Sequence, residues 1–238
     1  MPNRGRSDYR RDYFGVRKLA FAFPPASSAC RNPDAGASFG GTKAKAELSH
    51  SKFIPLIFTG FALLISALYL ATVADQLGDW DGDAAHYLLL GQSLAEGRGY
   101  TDPIMPGDFP HTKYPPVFPA LLSPMIALAG SDLFAVRFEV AILAVLGLAA
   151  WALYYRRRLR SLQATALAAL LALNPYAFAF TARALSETPF LFFSGLAFIG
   201  YTGWETSRSR AAFSGMIGAG LLGFFTRTAG IGLLAALV

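Results

Sequence analysis

Several acidic residues lie directly after the first hydrophobic segment of this 238-residue chain. Asp79, Asp81 and Asp83 occupy alternate positions, and Lys113 follows thirty residues after the last of them, ahead of Tyr114 and two prolines. A carboxylate can take a proton from a reacting hydroxyl, and a lysine ammonium can bind a phosphate. Acidic residues beside a membrane segment, followed by a lysine on a stiff backbone, therefore indicate chemistry on a lipid-linked substrate.

The three aspartates also have the 1, 3, 5 spacing of a calcium-binding loop. Gly82 then falls at position 4 of that loop rather than 6, and Leu90 stands where the bidentate acid is needed. The spacing excludes an EF-hand, although a loosely bound Ca²⁺ or Mg²⁺ stays an alternative. Metal ligation by His86 and His111 is a further alternative. We expect no cofactor to be required.

Both candidate groups have a structural alternative. Leucines after Asp83 predict a short amphipathic helix over residues 84–97, and Asp83 would begin or cap it. A capping carboxylate has a fixed orientation and still keeps a free lone pair, so the two roles are compatible. Lys113 precedes a diproline that restrains the backbone, and its alternative role is to extend toward lipid headgroups. Asp79 and Asp81 can also be solvated charges that keep the segment outside.

The composition places these groups in a membrane protein. Hydrophobic residues make up 54% of the chain and charged residues 15%, which is typical of a polytopic membrane protein. The net charge of +6 lies within residues 1–52, which hold ten basic and four acidic side chains. The remaining 186 residues have eleven of each sign. We expect membrane lipids, and no nucleic acid, as partners.

Residues 1–52 have no sustained hydrophobic periodicity and are predicted to be a disordered cytoplasmic arm. A misplaced start codon, an organelle transit peptide and an anionic-lipid tether are the alternatives. Cys30 is the only cysteine, which excludes a disulfide framework and a cysteine zinc site.

Residues 53–238 are predicted to form an all-α bundle of transmembrane helices. The stretch Val117 to Ala129 is too short to cross easily and predicts an interfacial or re-entrant helix. Because only nine residues follow the start of the sixth hydrophobic segment, we expect the chain to end inside that span, as a fragment of a longer protein. The predicted spans are 53–74, 133–155, 162–182, 189–204, 211–225 and a sixth from 230 onward.

The distribution of charge orients these spans. Asp75 to Pro116 carries seven acids against Arg98 and Lys113, whereas an arginine cluster at 156–160 follows the second span. Basic residues prefer the cytoplasmic side, so residues 75–132 form the first exoplasmic loop and the N-terminus is cytoplasmic. Short loops favour a bacterial cell membrane. This topology places ionisable groups on the exoplasmic face or within a turn of it: Asp83, Lys113, Arg183, Glu187 and Arg227.

In the order of these features the chain resembles the GT-C superfamily of membrane glycosyltransferases, which use polyprenyl-phosphate sugars. The similarity covers about Phe53 to Val238 and is closest to protein mannosyltransferases, the aminoarabinose transferase of lipid A and rhizobial galacturonosyltransferases. It is carried by Asp83-Ala84-Ala85-His86-Tyr87, Gly97-Arg98-Gly99-Tyr100, the lysine with its diproline, Leu185-Ser186-Glu187 and Thr226-Arg227. Members often have Asp-Glu outside the first helix, where this chain has Asp83 and Ala84.

The resemblance implies an inverting transfer of a sugar from a polyprenyl-phosphate donor to a hydroxyl of a lipid, glycan or protein. Asp83 would be the general base, with Asp81 able to share its work. Lys113 and Arg227 would stabilise the departing phosphate, and Glu187 and Tyr87 would contribute to substrate binding. The other classes considered are a polytopic transporter-like module, which predicts charges in the middle of spans, and a catalytically silent membrane scaffold.

Overall fold

The computed structural model describes residues 59–71, 73, 82–104, 106–107, 109–130 and 132–237. All of the described residues belong to one compact unit, Leu48–Val238. These residues form helices and no β-sheet, with a single isolated bridge between Thr101 and Pro110. The predicted all-α fold is confirmed. The arm predicted over residues 1–52 lies outside the described residues, so its disorder and its boundary stay predictions.

The helices are numbered here in chain order. They are α1 (Thr59–Ala71), α2 (Gly82–Ala95), α3 (Val117–Ala129), α4 (Leu133–Arg158), α5 (Ser161–Ala172), α6 (Pro175–Ala182), α7 (Glu187–Ser207), α8 (Arg210–Thr226) and α9 (Gly230–Leu237).

One helix in the described part of the chain, α4, is long and apolar enough to cross a bilayer, and the bent pair α5 and α6 would make a second if it forms one span. The second predicted span is therefore confirmed and extends three residues further, to Arg158. The short apolar helix predicted after the diproline has the bounds expected of it. Helices α7 and α8 cover the ranges predicted for the next two spans, but α7 is less apolar and α8 shorter, so their crossing stays a prediction.

The third predicted span is broken into two helices, α5 and α6, and the chain direction bends by 47° between them. Pro175 has no N–H to continue the helix, and the Asn174 side chain accepts the N–H of Tyr176. The carbonyl of Ala172 consequently loses the partner that a continuous helix would give it. The Tyr69 hydroxyl of α1 donates to this carbonyl at 3.2 Å, so a second helix satisfies the polar group that the break exposes.

Charged side chains pair at both ends of α7. Glu187 in its first turn pairs with Arg227 at the end of α8, and Glu205 near its C-terminal end pairs with Arg158 of α4. The two glutamates are eighteen positions apart, which corresponds to roughly 27 Å along a helix and is close to the thickness of a hydrocarbon core.

Large apolar side chains lie exposed on α4 between its ends, as expected for a surface in contact with lipid: Phe134, Phe138, Ile142, Leu146 and Leu153.

Two glycines allow the close helix contacts that position the functional groups. At Gly200 of α7 a Cβ atom would lie 2.8 Å from the backbone nitrogen of Met216, so α7 and α8 approach at backbone distance. At Gly91 of α2 a Cβ atom would lie 2.9 Å from the Ile126 side chain of α3. The pair α2 and α3 thus packs tightly, with Phe118 and Leu122 fully buried between these helices and α4.

Candidate active site

The described residues bring Asp83 and Lys113 together through a third side chain, that of Tyr114. The Tyr114 hydroxyl donates a hydrogen bond to Oδ1 of Asp83 and accepts one from Nζ of Lys113 at 2.7 Å. The ammonium also lies 4.0 Å from Asp83 Oδ1 and 4.6 Å from the centre of the Tyr114 ring. One phenol therefore holds the candidate base and the candidate phosphate ligand side by side.

Asp83 begins the surface helix rather than capping it, because α2 starts at Gly82 and Asp83 lies in its first turn. A carboxylate in this position is favoured by the partial positive charge of the helix N-terminus. Its side chain is 59% exposed and that of Lys113 is 69% exposed, so a substrate can reach both. Since Tyr114 occupies Oδ1, the second carboxylate oxygen can accept a proton.

Tyr114 itself is buried, with only 8% of its surface exposed. Burial raises the pKa of its phenol above the usual value, and the hydrogen bond to Asp83 raises it further, so the hydroxyl stays protonated and remains a donor. The hydrogen bond that Lys113 donates to this phenol raises the pKa of the Lys113 ammonium, which stays charged. The site thus holds a carboxylate and a cation joined by a neutral donor.

The backbone around Tyr114 is held by two other aromatic side chains. Its N–H donates to Nε2 of His111 at 3.0 Å, and the two rings stack at 5.3 Å with 5° between their planes. Nε2 is therefore the acceptor and Nδ1 carries the proton, which faces Asp102 at 3.4 Å. The Tyr100 hydroxyl donates to the carbonyl of Tyr114 at 2.8 Å. These bonds fix the segment that carries Lys113.

A second part of the site comes from the turn before α7. The Tyr87 hydroxyl donates to Oγ of Ser186 at 3.1 Å, and the next residue, Glu187, forms the ion pair with Arg227. Burial raises the pKa of the Tyr87 phenol, and the negative charges of Asp83 and Glu187 raise it further. The ring contact between Tyr87 and Tyr114 thus joins the Asp83 and Lys113 cluster to the turn that carries Glu187. That all of these charged groups lie on one membrane face stays a prediction.

The described contacts do not test two of the predicted substrate ligands, Tyr87 and Asp81. Tyr87 is buried, and its ring packs against Tyr114 and Phe118 at about 5 Å, so the structure gives it a packing role and direct contact with substrate stays a prediction. Asp81 lies outside the described residues. Among the described residues no group of three or more His, Asp or Glu side chains is arranged to hold a metal ion.

Sequence reasoning missed Tyr114, Ser186 and His111 as parts of the site. Tyr114 was considered only as a spacer between the lysine and the prolines, although a phenol beside a candidate cation can both donate and accept. Ser186 and His111 act through partners 99 and 3 residues away. The distant contact depends on how α2 packs against the turn before α7, which no local pattern shows.

Comparison with protein families matches residues 113–238 to the dolichyl-phosphate-mannose-protein mannosyltransferase family. The match covers more than half of the chain and begins at Lys113. The chain belongs to this family. No curated protein sequence and no solved structure matches it.

Membership of the mannosyltransferase family makes the chain an integral membrane protein of glycosyltransferase type and confirms the GT-C resemblance. The matched range includes Lys113, Tyr114, Glu187 and Arg227, whereas Asp83 precedes it. The contact between Asp83 and the matched segment therefore comes from the structure and not from the family comparison.

Replacement of Tyr114 by phenylalanine should weaken the link between Asp83 and the lysine without removing the buried ring. Because water can reach the exposed carboxylate, we expect Tyr114→Phe to cost about 1 kcal/mol of stability, with a lower thermal unfolding midpoint in detergent. In the Asp83→Asn background the charged acceptor is already gone, so the same change should cost less. Tyr176→Phe, at an exposed ring, is the control. Additive effects of the changes at 83 and 114 would contradict the bond.

Proposed function

We propose that this protein is an inverting glycosyltransferase that moves a sugar from a polyprenyl-phosphate donor to a hydroxyl acceptor at the exoplasmic membrane face. Membership of the mannosyltransferase family supports the class of donor and reaction. The observation that carries the mechanism is the Asp83, Tyr114 and Lys113 cluster, in which an exposed carboxylate lies 4.0 Å from an exposed ammonium.

Asp83 is the proposed general base. As the acceptor oxygen forms its bond to the anomeric carbon, its proton passes to the carboxylate, and the bond between that carbon and the phosphate oxygen breaks with both electrons going to the phosphate. Tyr114 holds one carboxylate oxygen, which leaves the other directed toward solvent for the incoming hydroxyl. The carboxylate is therefore oriented before the substrate arrives, which removes part of the ordering cost from the reaction.

Lys113 and Arg227 are the proposed phosphate ligands. The developing negative charge of the departing polyprenyl phosphate needs cations that already lie at the membrane surface. Arg227 is 39% exposed and uses Nη1 for Glu187, so other guanidinium donors remain for a phosphate. Glu187 is assigned the positioning of this guanidinium. Asp81, two residues before Asp83 in the sequence, is proposed to share the work of this base.

The positions of charge support a crossing topology with the site outside. The site groups cluster at the N-terminal end of α7, while the arginine cluster at 156–160 lies with Glu205 near its other end. Basic residues prefer the cytoplasmic side, so the opposite end is assigned to the exoplasm and residues 1–52 to the cytoplasm. Because the loops are short, we assign the protein to a bacterial cell membrane. The acceptor class includes lipid, glycan and protein hydroxyls.

The two other classes considered from the sequence are less well supported. A transporter needs ionisable side chains in the middle of its spans, but α4 has none between Glu139 and Arg156 and α7 has none between Glu187 and Glu205. A silent scaffold has no need for an exposed carboxylate and ammonium held on one buried phenol. No specific observation favours either class.

Asp83→Asn should lower the rate of sugar transfer roughly 10²–10⁴-fold, because an amide cannot accept the acceptor proton. The measurement is transfer from polyprenyl-phosphate mannose in membranes that carry the full chain. Asp132→Asn is the matched control, since Asp132 caps α4 through the N–H of Phe134 and asparagine caps equally well. A normal rate for Asp83→Asn would remove Asp83 as the base.

Lys113→Ala should raise the apparent donor KM about tenfold, because a charge-assisted contact to phosphate contributes about 1.5–3 kcal/mol. Arg98→Ala is the matched control: Arg98 is the other basic residue of the first loop and pairs with Glu96 at 2.5 Å. An unchanged donor KM for Lys113→Ala, or an equal change for both variants, would show that Lys113 does not bind the phosphate.

The proposed face can be tested by thiol labelling in a Cys30→Ser background. A membrane-impermeant maleimide applied to intact cells should label Ile104→Cys in the first loop and spare Ser207→Cys at the end of α7. Both positions are exposed, and both should react after the membrane is opened. Labelling of position 207 but not 104 in intact cells would place Asp83 in the cytosol, where no exoplasmic donor meets it.

A further inference from the structure

A cleft of about 300 Å³ lies beside the Asp83 cluster, and the mechanism described above does not use it. Its walls are formed by one residue of α2 and by residues of the loop between α2 and α3. Lys113 lines the cleft and also contacts Tyr114, so the cleft opens onto the proposed reaction centre. The lining residues are His86, Asp102, Phe109, Pro110, His111, Thr112 and Lys113.

The cleft has one apolar wall, formed by the ring of Phe109. This side chain is 60% exposed, although it belongs to a short, well-anchored loop. The Asp102 N–H donates to the Phe109 carbonyl at 3.0 Å, and the His111 N–H donates to the Tyr100 carbonyl at 2.9 Å. Backbone bonds therefore fix the segment that carries the exposed ring.

Gly107 has no side chain, and the Phe109 ring occupies the space beside it. Its backbone has a φ of +109°, which side-chain-bearing residues rarely adopt, and a Cβ atom there would lie 3.1 Å from the ring. The ring thus lies directly over the glycine backbone. An aromatic ring held in this way presents a flat apolar surface to the cleft.

Polar groups face this ring from the other walls. Nδ1 of His86 lies 3.0 Å from the carbonyl of Gly82, which can only accept, so Nδ1 is the donor and Nε2 of the neutral ring is an acceptor. Asp102 accepts the N–H of Ile104 at 3.1 Å and faces His111, which fixes the orientation of its carboxylate. The Thr112 hydroxyl can donate and accept, and Lys113 donates.

We infer that this cleft binds a pyranose ring, with the apolar C–H face of the sugar on Phe109 and its hydroxyls on His86, Asp102 and Thr112. A pyranose has one apolar face and a rim of hydroxyls that donate and accept, which matches an aromatic surface opposed by oriented polar groups. The volume lies at the lower end of the range for small-molecule sites. The inference rests on the proposed function for the source of the sugar, which is either the donor or a glycan acceptor.

The test compares Phe109→Ala with Ile104→Ala. Both side chains are 60% exposed on the same loop, but only Phe109 lines the cleft. The first measurement is the binding of polyprenyl-phosphate mannose and of sugar-free polyprenyl phosphate to the purified full chain, which requires no turnover. If the sugar comes from the donor, Phe109→Ala should weaken binding of the mannosylated lipid about tenfold and leave binding of the sugar-free lipid unchanged. Ile104→Ala should change neither.

The second measurement separates the two sources of the sugar. If Phe109→Ala leaves donor binding unchanged but raises the KM for a glycan acceptor about tenfold, the cleft binds the acceptor sugar. If Phe109→Ala and Ile104→Ala weaken both lipids equally, the loop is a membrane anchor and the inference is wrong. It is also wrong if Phe109→Ala changes neither donor binding nor the acceptor KM. Failure of the proposed function would instead appear as a normal transfer rate for Asp83→Asn, whatever the lipid-binding data show.

Discussion

Asp83 and Lys113 carry opposite charges on two segments that are thirty residues apart, and the phenol of Tyr114 determines how close they come. An exposed ion pair alone contributes little and would sample many geometries. The buried ring provides a fixed point, because it stacks on His111 and packs against Tyr87 in the core between α2, α3 and α4. The buried Tyr114 ring is thereby coupled to the exposed side chains of Asp83 and Lys113, so a change that shifts the ring shifts both charged groups.

The remaining site groups lie at helix ends. Asp83 is in the first turn of α2, Glu187 begins α7 and Arg227 directly follows the last residue of α8. Helix ends carry backbone groups without partners, and they are also where a chain leaving the bilayer can place charge. The hydrogen bond from Tyr87 to Ser186 joins α2 to the turn before α7.

Much of this arrangement could be predicted from the sequence, because hydrophobic length and charge distribution act over whole segments. The bounds of α3 and the start of α4 follow from those two patterns. The predicted shared face agrees with the two pairs Asp83–Lys113 and Glu187–Arg227, but the meeting of all four groups stays a prediction. Tyr114 could not be predicted, since its role depends on the direction of one side chain in a loop. The break at Asn174 was also missed. Asn174-Pro175 interrupts the run over 162–182, but a single Asn-Pro pair does not show whether a helix bends or ends there. Asp81 and the arm over 1–52 lie outside the described residues and gain nothing from the structure.

The hydrogen bond from Tyr69 to Ala172 ties the broken helix pair to α1. A carbonyl without a partner is costly in hydrocarbon, and Asn174 diverts the N–H that would have satisfied it. Helix pair α5 and α6 is accordingly an incomplete membrane segment until the first helix lies beside it. Helix α1 thus carries the donor that the broken pair needs, and loss of the Tyr69 hydroxyl would leave the carbonyl of Ala172 without this bond.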